Sequence, residues 1–279
     1  MRIDAHHHLW DLSKRDYDWL HTQNPLIQRT FDVSDLRIAM ASAAIDRTIV
    51  VQTVPEPAET LDLLSMAAAN PETIAGVVGW ADLTDPAVSD ALAELMASEA
   101  GSFLVGIRHQ AHDEPDPRWL TRADVRRGLQ AVGDAGLLYE LLVRTRELPA
   151  AIEVAASLPD VQFVLDHIGK PPIADGACDE WADCVTRLAA HPNVACKLSG
   201  LVGEAKPGAI TADFQPYADL ILESFGTDRI MFGSDWPVCV PYRSYEGVYE
   251  LAMELLHGLS ASELDAVFGL NAVSVYGLA

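Results

Sequence analysis

The sequence predicts a (β/α)8 barrel, the distorted TIM type. Eight short apolar segments recur along the 279 residues, and stretches of helical periodicity rich in Ala and Leu separate them. Several of the apolar segments carry almost no polar residue, as strands of a parallel sheet covered on both faces should. Eight such alternations in roughly 250 residues match a closed barrel better than a doubly wound open sheet, the other arrangement that periodicity allows. No linker, internal repeat or low-complexity tract interrupts the chain, so residues 1–279 are expected to form one domain.

The strands are read in order. Arg2–His8 is apolar up to a run of three histidines, too short and too deep in an apolar pattern to be a tag remnant. Arg47–Thr53 and Gly76–Asp82 follow, with a helix over Ala58–Ala69 between them. The helix Pro86–Ala97 leads to Leu104–His109, and Arg122–Ala135 leads to Leu137–Val143. Ala150–Ser157, Trp181–Ala190 and Thr211–Phe225 read as the later helices, alternating with strands at Gln162–His167, Val194–Ser199 and Arg229–Asp235.

Composition excludes several functions. The chain has 19 Lys and Arg against 41 Asp and Glu, a formal charge of −22, which argues against nucleic acid and anionic membranes as partners and for a small molecule. The N-terminus lacks an apolar signal core, and no apolar run approaches the ~20 residues of a bilayer span. Cys178, Cys184, Cys196 and Cys239 form no CxxC pair, so they read as packing residues of a cytoplasmic protein. There is no G-x-S-x-G elbow, Walker loop or G-x-G-x-x-G fingerprint, which removes serine hydrolases and the usual nucleotide binders.

Barrel enzymes place their chemistry at the C-terminal ends of the strands. The polar residues there are His6 and His8, Gln52, Trp80, Arg108 and His109, Tyr139 and Glu140, Asp166 and His167, Lys197 and Asp235. Residues two apart in a strand share a face, so His6 and His8 point together and could hold a divalent cation or grip a substrate oxygen. Lys197, one of four lysines, lies in an apolar strand and calls for an anionic partner or substrate. Arg108 raises the same question, with a planar fork suited to a carboxylate or a developing oxyanion. Asp235 ends the last strand and would neighbour His6 and His8 across the barrel seam, placed to bind a metal or take a proton from water. His7, His21, His112, His191 and His257 read as structural, His109 is left open, and Trp10, Trp80 and Trp236 either wall a sugar pocket or pack.

Taken together, Ile3-Asp4-Ala5-His6-His7-His8-Leu9-Trp10, Val51-Gln52, Gly106-Ile107-Arg108, Phe163-Val164-Leu165-Asp166-His167-Ile168-Gly169-Lys170-Pro171, Lys197-Leu198-Ser199-Gly200 and Phe232-Gly233-Ser234-Asp235-Trp236-Pro237 span nearly the whole chain. They resemble the amidohydrolase superfamily, in the amidohydrolase-2 branch that holds sugar-acid lactonases and 2-pyrone-4,6-dicarboxylate lactonase. The resemblance implies an amidohydrolase-type barrel that hydrolyses a lactone. Asp235 and His167 would be catalytic, Asp235 accepting the proton of the attacking water, and Arg108, Lys197, Gln52, Trp80 and Tyr139 would bind substrate. Binuclear members carry a bridging lysine, yet Arg108 and Glu140 stand at the candidate positions and Lys197 stands where a further histidine is frequent. One zinc ion on His6, His8 and Asp235, with or without His167, or catalysis without metal, is therefore expected rather than two bridged ions. Two alternatives stay open: a metal-dependent non-oxidative decarboxylase of the same branch, and a catalytically inactive barrel that binds a small molecule.

Overall fold

The computed structural model describes residues 1–176 and 178–278. Eight parallel strands run in sequence order: β1 Ile3–His7, β2 Arg47–Val51, β3 Ile74–Gly79, β4 Leu104–His109, β5 Leu138–Leu141, β6 Phe163–Leu165, β7 Val194–Leu198 and β8 Ile230–Phe232. β1 and β8 share no regular ladder; the seam closes through the Asp235 N–H to His6 O at 2.8 Å and the His8 N–H to Trp236 O at 2.7 Å. The buried Asp4 carboxylate holds the seam from outside, accepting from Ser234 N at 2.9 Å, Ser234 Oγ at 2.6 Å and Tyr245 Oη at 2.9 Å. The barrel's distortion is concentrated in its first half, where the β1–β2, β2–β3 and β3–β4 registers all shift, while the pairings from β4 to β8 stay regular.

Ile3, Ala5, Ile49, Val51, Val78, Leu138, Val164, Ala195 and Met231, drawn from nearly every strand, pack together with Ala272 and Tyr276 of the C-terminal helix. This is the barrel interior. A second and larger core lies between the sheet and the helices α1 Val33–Met40, α2 Pro57–Ala69, α3 Val88–Ala97, α4 Ala123–Asp134, α5 Leu148–Ser157, α6 Asp179–Ala189, α7 Thr211–Phe225 and α8 Tyr245–Leu255. The chain ends through α9 Ala261–Asp265, a π-helical turn and α10 Asn271–Tyr276.

The six expected helices are present, with ends shifted by up to two residues, and α1 and α8–α10 are additional. α1 has only eight residues, and an Asp32–Asp35 capping box starts it, so its signal is in the cap rather than in apolar periodicity. Seven of the eight strands end one to three residues earlier than the sequence predicts, and at two of them the backbone shows why. β6 stops at Leu165 because His167, Ile168 and Lys170 adopt φ of +53°, +49° and +47°, and β8 stops at Phe232 ahead of Asp235 at φ +56°. Left-handed residues cannot continue a pleated strand. Both chemical groups thus sit on turns just beyond the strands.

Candidate active site

Simple alternation along β1 would set His6 on the face opposite Ala5. The register instead advances from Asp4↔Thr48 to His7↔Val50, three residues against two, and this bulge reverses the phase. His6 therefore follows Ile3 and Ala5 toward the barrel interior, with His8 beside it at 3.1 Å between the two Nε2 atoms. From the other side, the turn after β6 brings His167 over the strand ends, and the turn after β8 brings Asp235. Two glycines make this convergence possible: a Cβ on Gly200, at φ +69°, would fall 2.5 Å from His167 Nδ1, and one on Gly233 would fall 2.7 Å from His6 Cβ.

Asp235 Oδ1 lies 3.5 Å from His8 Nε2, 3.8 Å from His6 Nε2 and 3.9 Å from His167 Nε2. The outer ring nitrogens are anchored, His8 Nδ1 donating to Val51 O at 2.7 Å and His167 Nδ1 pairing with Ser199 Oγ at 2.9 Å. Ligands on a tetrahedral zinc with bonds of about 2.0–2.1 Å stand about 3.3 Å apart. The donor set is buried, its chemistry suits zinc, and its spacings bracket that value, so it fits a single ion. His6, Glu140 and Asp166 make another buried group of metal-ligand type, but the Lys197 ammonium already fills it.

Lys197 is fully buried and its Nζ meets Glu140 Oε1 at 2.6 Å, His6 Nδ1 at 3.0 Å and Asp166 Oδ1 at 3.1 Å. Arg108 Nη1 donates to Asp166 Oδ2 at 3.0 Å and lies 3.3 Å from His6 Nε2, while Nη2 bonds Gln52 O. Tyr276 Oη donates to Glu140 Oε1 at 2.6 Å. Burial, reinforced by Asp166, pushes Glu140 up to about 7 against the pull of Lys197. Asp166 is equally buried, yet Lys197, His6 and Arg108 hold it well below the carboxylate range. Burial drives His167 down to about 3 despite Asp235, and holds His6 low with help from Lys197. Burial opposes ionisation of Asp235, but His167, His8 and Lys170 outweigh it and leave its carboxyl below the ordinary range. Near neutrality the centre pairs a carboxylate with uncharged imidazoles at positions 6 and 167.

His8, Arg108, His167 and Asp235 line a cavity of about 990 Å³. The structure places the other expected substrate residues elsewhere. Lys197 and Tyr139 are fully buried and make their contacts to protein; Gln52, also buried, binds Arg108 O and the Gln110 side chain. Trp80 Nε1 donates to His109 Nδ1 at 3.0 Å, and His109 stacks on Trp119 and bonds Glu114 at 2.8 Å. Sequence reasoning passed over Asp4, Arg144, Lys170 and Glu204. The last three line the cavity, and Lys170 carried a signal, as a scarce lysine three residues after His167. His112, read as structural, also lines it.

The Amidohydrolase family model (Amidohydro_2) matches residues 3–278. The chain is 38% identical to an L-fucono-1,5-lactonase of Burkholderia multivorans over all of its own length and 96% of that protein. It is also 38% identical to an L-fucono-1,5-lactonase of Burkholderia ambifaria, covering 85% of this chain and 80% of the relative. A Burkholderia multivorans amidohydrolase crystallised with zinc superposes at a TM-score of 0.94, with 36% identity over the full length of both chains.

Proposed function

The chain belongs to the amidohydrolase family, and from that premise we propose that it hydrolyses an uncharged sugar-acid lactone with Asp235 as the base. The observation that carries this reading is the convergence of His6, His8 and His167 on Asp235 Oδ1, all within 3.9 Å, at the floor of the cavity. Two relatives at 38% identity bear the name L-fucono-1,5-lactonase, which supports a sugar-acid substrate.

A water placed between Asp235 and the acyl carbon gives its proton to Asp235 Oδ1 as its oxygen attacks. Negative charge then develops on the carbonyl oxygen, and the Arg108 guanidinium is the cation facing the cavity nearest the histidines. Collapse of the tetrahedral intermediate breaks the ring C–O bond, and the proton held by Asp235 passes to the leaving alkoxide, giving the hydroxy acid. His8, fixed through Val51 O, presents its Nε2 lone pair inward, and His167, fixed through Ser199, turns its Nε2 toward Asp235. A zinc ion, such as the one in the crystallised relative, would be held by His6, His8, His167 and Asp235, where it supplies Lewis-acid polarisation of the acyl group.

Ion pairing within the cavity favours a neutral substrate. Arg108 is paired with Asp166, and Lys170 and Arg144 with Glu204, so each cation lining the cavity already has a carboxylate partner. The test is a panel of aldonolactones, including L-fucono-1,5-lactone, followed by acid release with a pH indicator. Ring opening well above the spontaneous rate is expected for at least one five- or six-carbon lactone; background rates across the panel would reject the reading.

A further inference from the structure

On one wall of the cavity, Glu204 accepts from Lys170 Nζ at 3.0 Å through Oε1 and from Arg144 Nη1 at 3.1 Å through Oε2. Glu204 and Lys170 are only 14% and 17% exposed, so their pair is sheltered, while Arg144, at 49%, reaches it from the solvent side. His112 lines the same cavity, and its Nδ1 is buried with no hydrogen-bond partner among the described residues. Burial, helped by Lys170, Arg144 and Arg108 and opposed by Asp113, lowers the His112 imidazole to about 4, as expected for a ring set among these cations. Lys170 sits on the turn that carries His167, which ties the cluster to the reacting centre.

We propose that Glu204, Lys170, Arg144 and His112 form a hydroxyl-binding subsite that selects lactones with a hydroxylated ring or substituent and rejects lactones bearing a carboxylate. The proposal rests on the lactonase reading and names the substrate feature this wall recognises. Each Glu204 oxygen has one protein donor and keeps a second acceptor direction free, while Lys170 retains two N–H donors and Arg144 further ones. A sugar hydroxyl is both donor and acceptor: it can give its hydrogen to Glu204 and accept from either cation. The unpaired His112 nitrogen gains a partner in the same step. A carboxylate can only accept; it would meet Glu204 with like charge, and both cations there already share the Glu204 carboxylate. Glu204 is thus the discriminating residue.

Glu204→Gln keeps the shape and removes the charge, releasing Lys170 and Arg144. Calorimetric titration with 2-pyrone-4,6-dicarboxylate should show binding tightened roughly tenfold or more relative to wild type, and adding Lys170→Met should reverse the gain. In parallel, the kcat/KM preference for L-fucono-1,5-lactone over unsubstituted δ-valerolactone should fall roughly tenfold. His112→Phe, which leaves the ion pairs alone, should lower that preference too and serves if Glu204→Gln fails to fold by thermal melting. Unchanged dicarboxylate affinity and an unchanged preference in folded variants would overturn the subsite. If wild type opens neither lactone while Glu204→Gln gains the dicarboxylate, the lactonase reading fails and the subsite stands.

Discussion

Replacing Lys197 with methionine tests the buried charge network under the histidines. Methionine fills a similar volume, so the cost is mainly electrostatic: the Glu140 and Asp166 carboxylates, 2.6 and 3.1 Å from the ammonium, lose their shared cation in a site with no solvent exposure. Removing one partner of a buried ion pair costs about 3–5 kcal/mol. The pH dependence is more diagnostic than the size. Burial and Asp166 already hold Glu140 at about 7 rather than 4.5 with Lys197 in place, a gap equal to about 3 kcal/mol. Without Lys197, Glu140 rises further and Asp166 rises from its lowered position. A carboxyl raised on folding binds its proton more tightly in the folded state, so stability is retained at acid pH and falls as pH climbs through the folded value. The penalty should therefore be smallest near pH 5 and roughly 2–3 kcal/mol larger near pH 8, read from urea unfolding of both proteins at each pH. A penalty that is equal at the two pH values, or larger at pH 5, would refute the reasoning.

Three further outcomes follow from the site. Because Asp235 lies below the ordinary carboxylate range and His167 near 3, turnover should be flat from about pH 5 to about pH 6, below the point where Glu140 loses its proton at about 7. On the acid side, activity should fall only where acid protonates Asp235, below the ordinary carboxylate range; a loss of activity between about pH 6 and about pH 5 would contradict this. Arg108→Met should lower kcat for a neutral lactone by about 10²–10³ with little change in KM, since charge appears there only during attack; a pure KM effect in steady-state kinetics would place Arg108 in ground-state binding instead. Elemental analysis after dialysis against zinc should find at most one ion per chain, because Lys197 fills the second group of ligands; two stoichiometric ions would contradict that assignment.

The strands and their order were legible because buried parallel strands such as Val194–Leu198 are nearly continuous apolar runs. The pairing of His6 with His8 was legible from alternation, but not the bulge that turns them inward, which depends on the partner strand. Nothing in Asp166-His167-Ile168 announces left-handed backbone except the Gly169 that follows. Lys197 looked like a substrate contact because its residue type demands an anion. Its anion is Glu140, 57 residues away, itself held by Tyr276, a further 136 residues along the chain from Glu140. Glu204 was invisible for the same reason, since its partners Arg144 and Lys170 lie 60 and 34 residues distant.

The most direct test of the central claim is the rate of acid release from L-fucono-1,5-lactone by wild type and by Asp235→Asn, with folding checked by circular dichroism and zinc content measured for both. The geometry around Asp235 Oδ1 predicts rapid ring opening by wild type and a loss of about 10²–10⁴ in kcat for the variant, the range for removing a positioned general base. A folded Asp235→Asn protein that turned the lactone over at near wild-type rate would contradict the account.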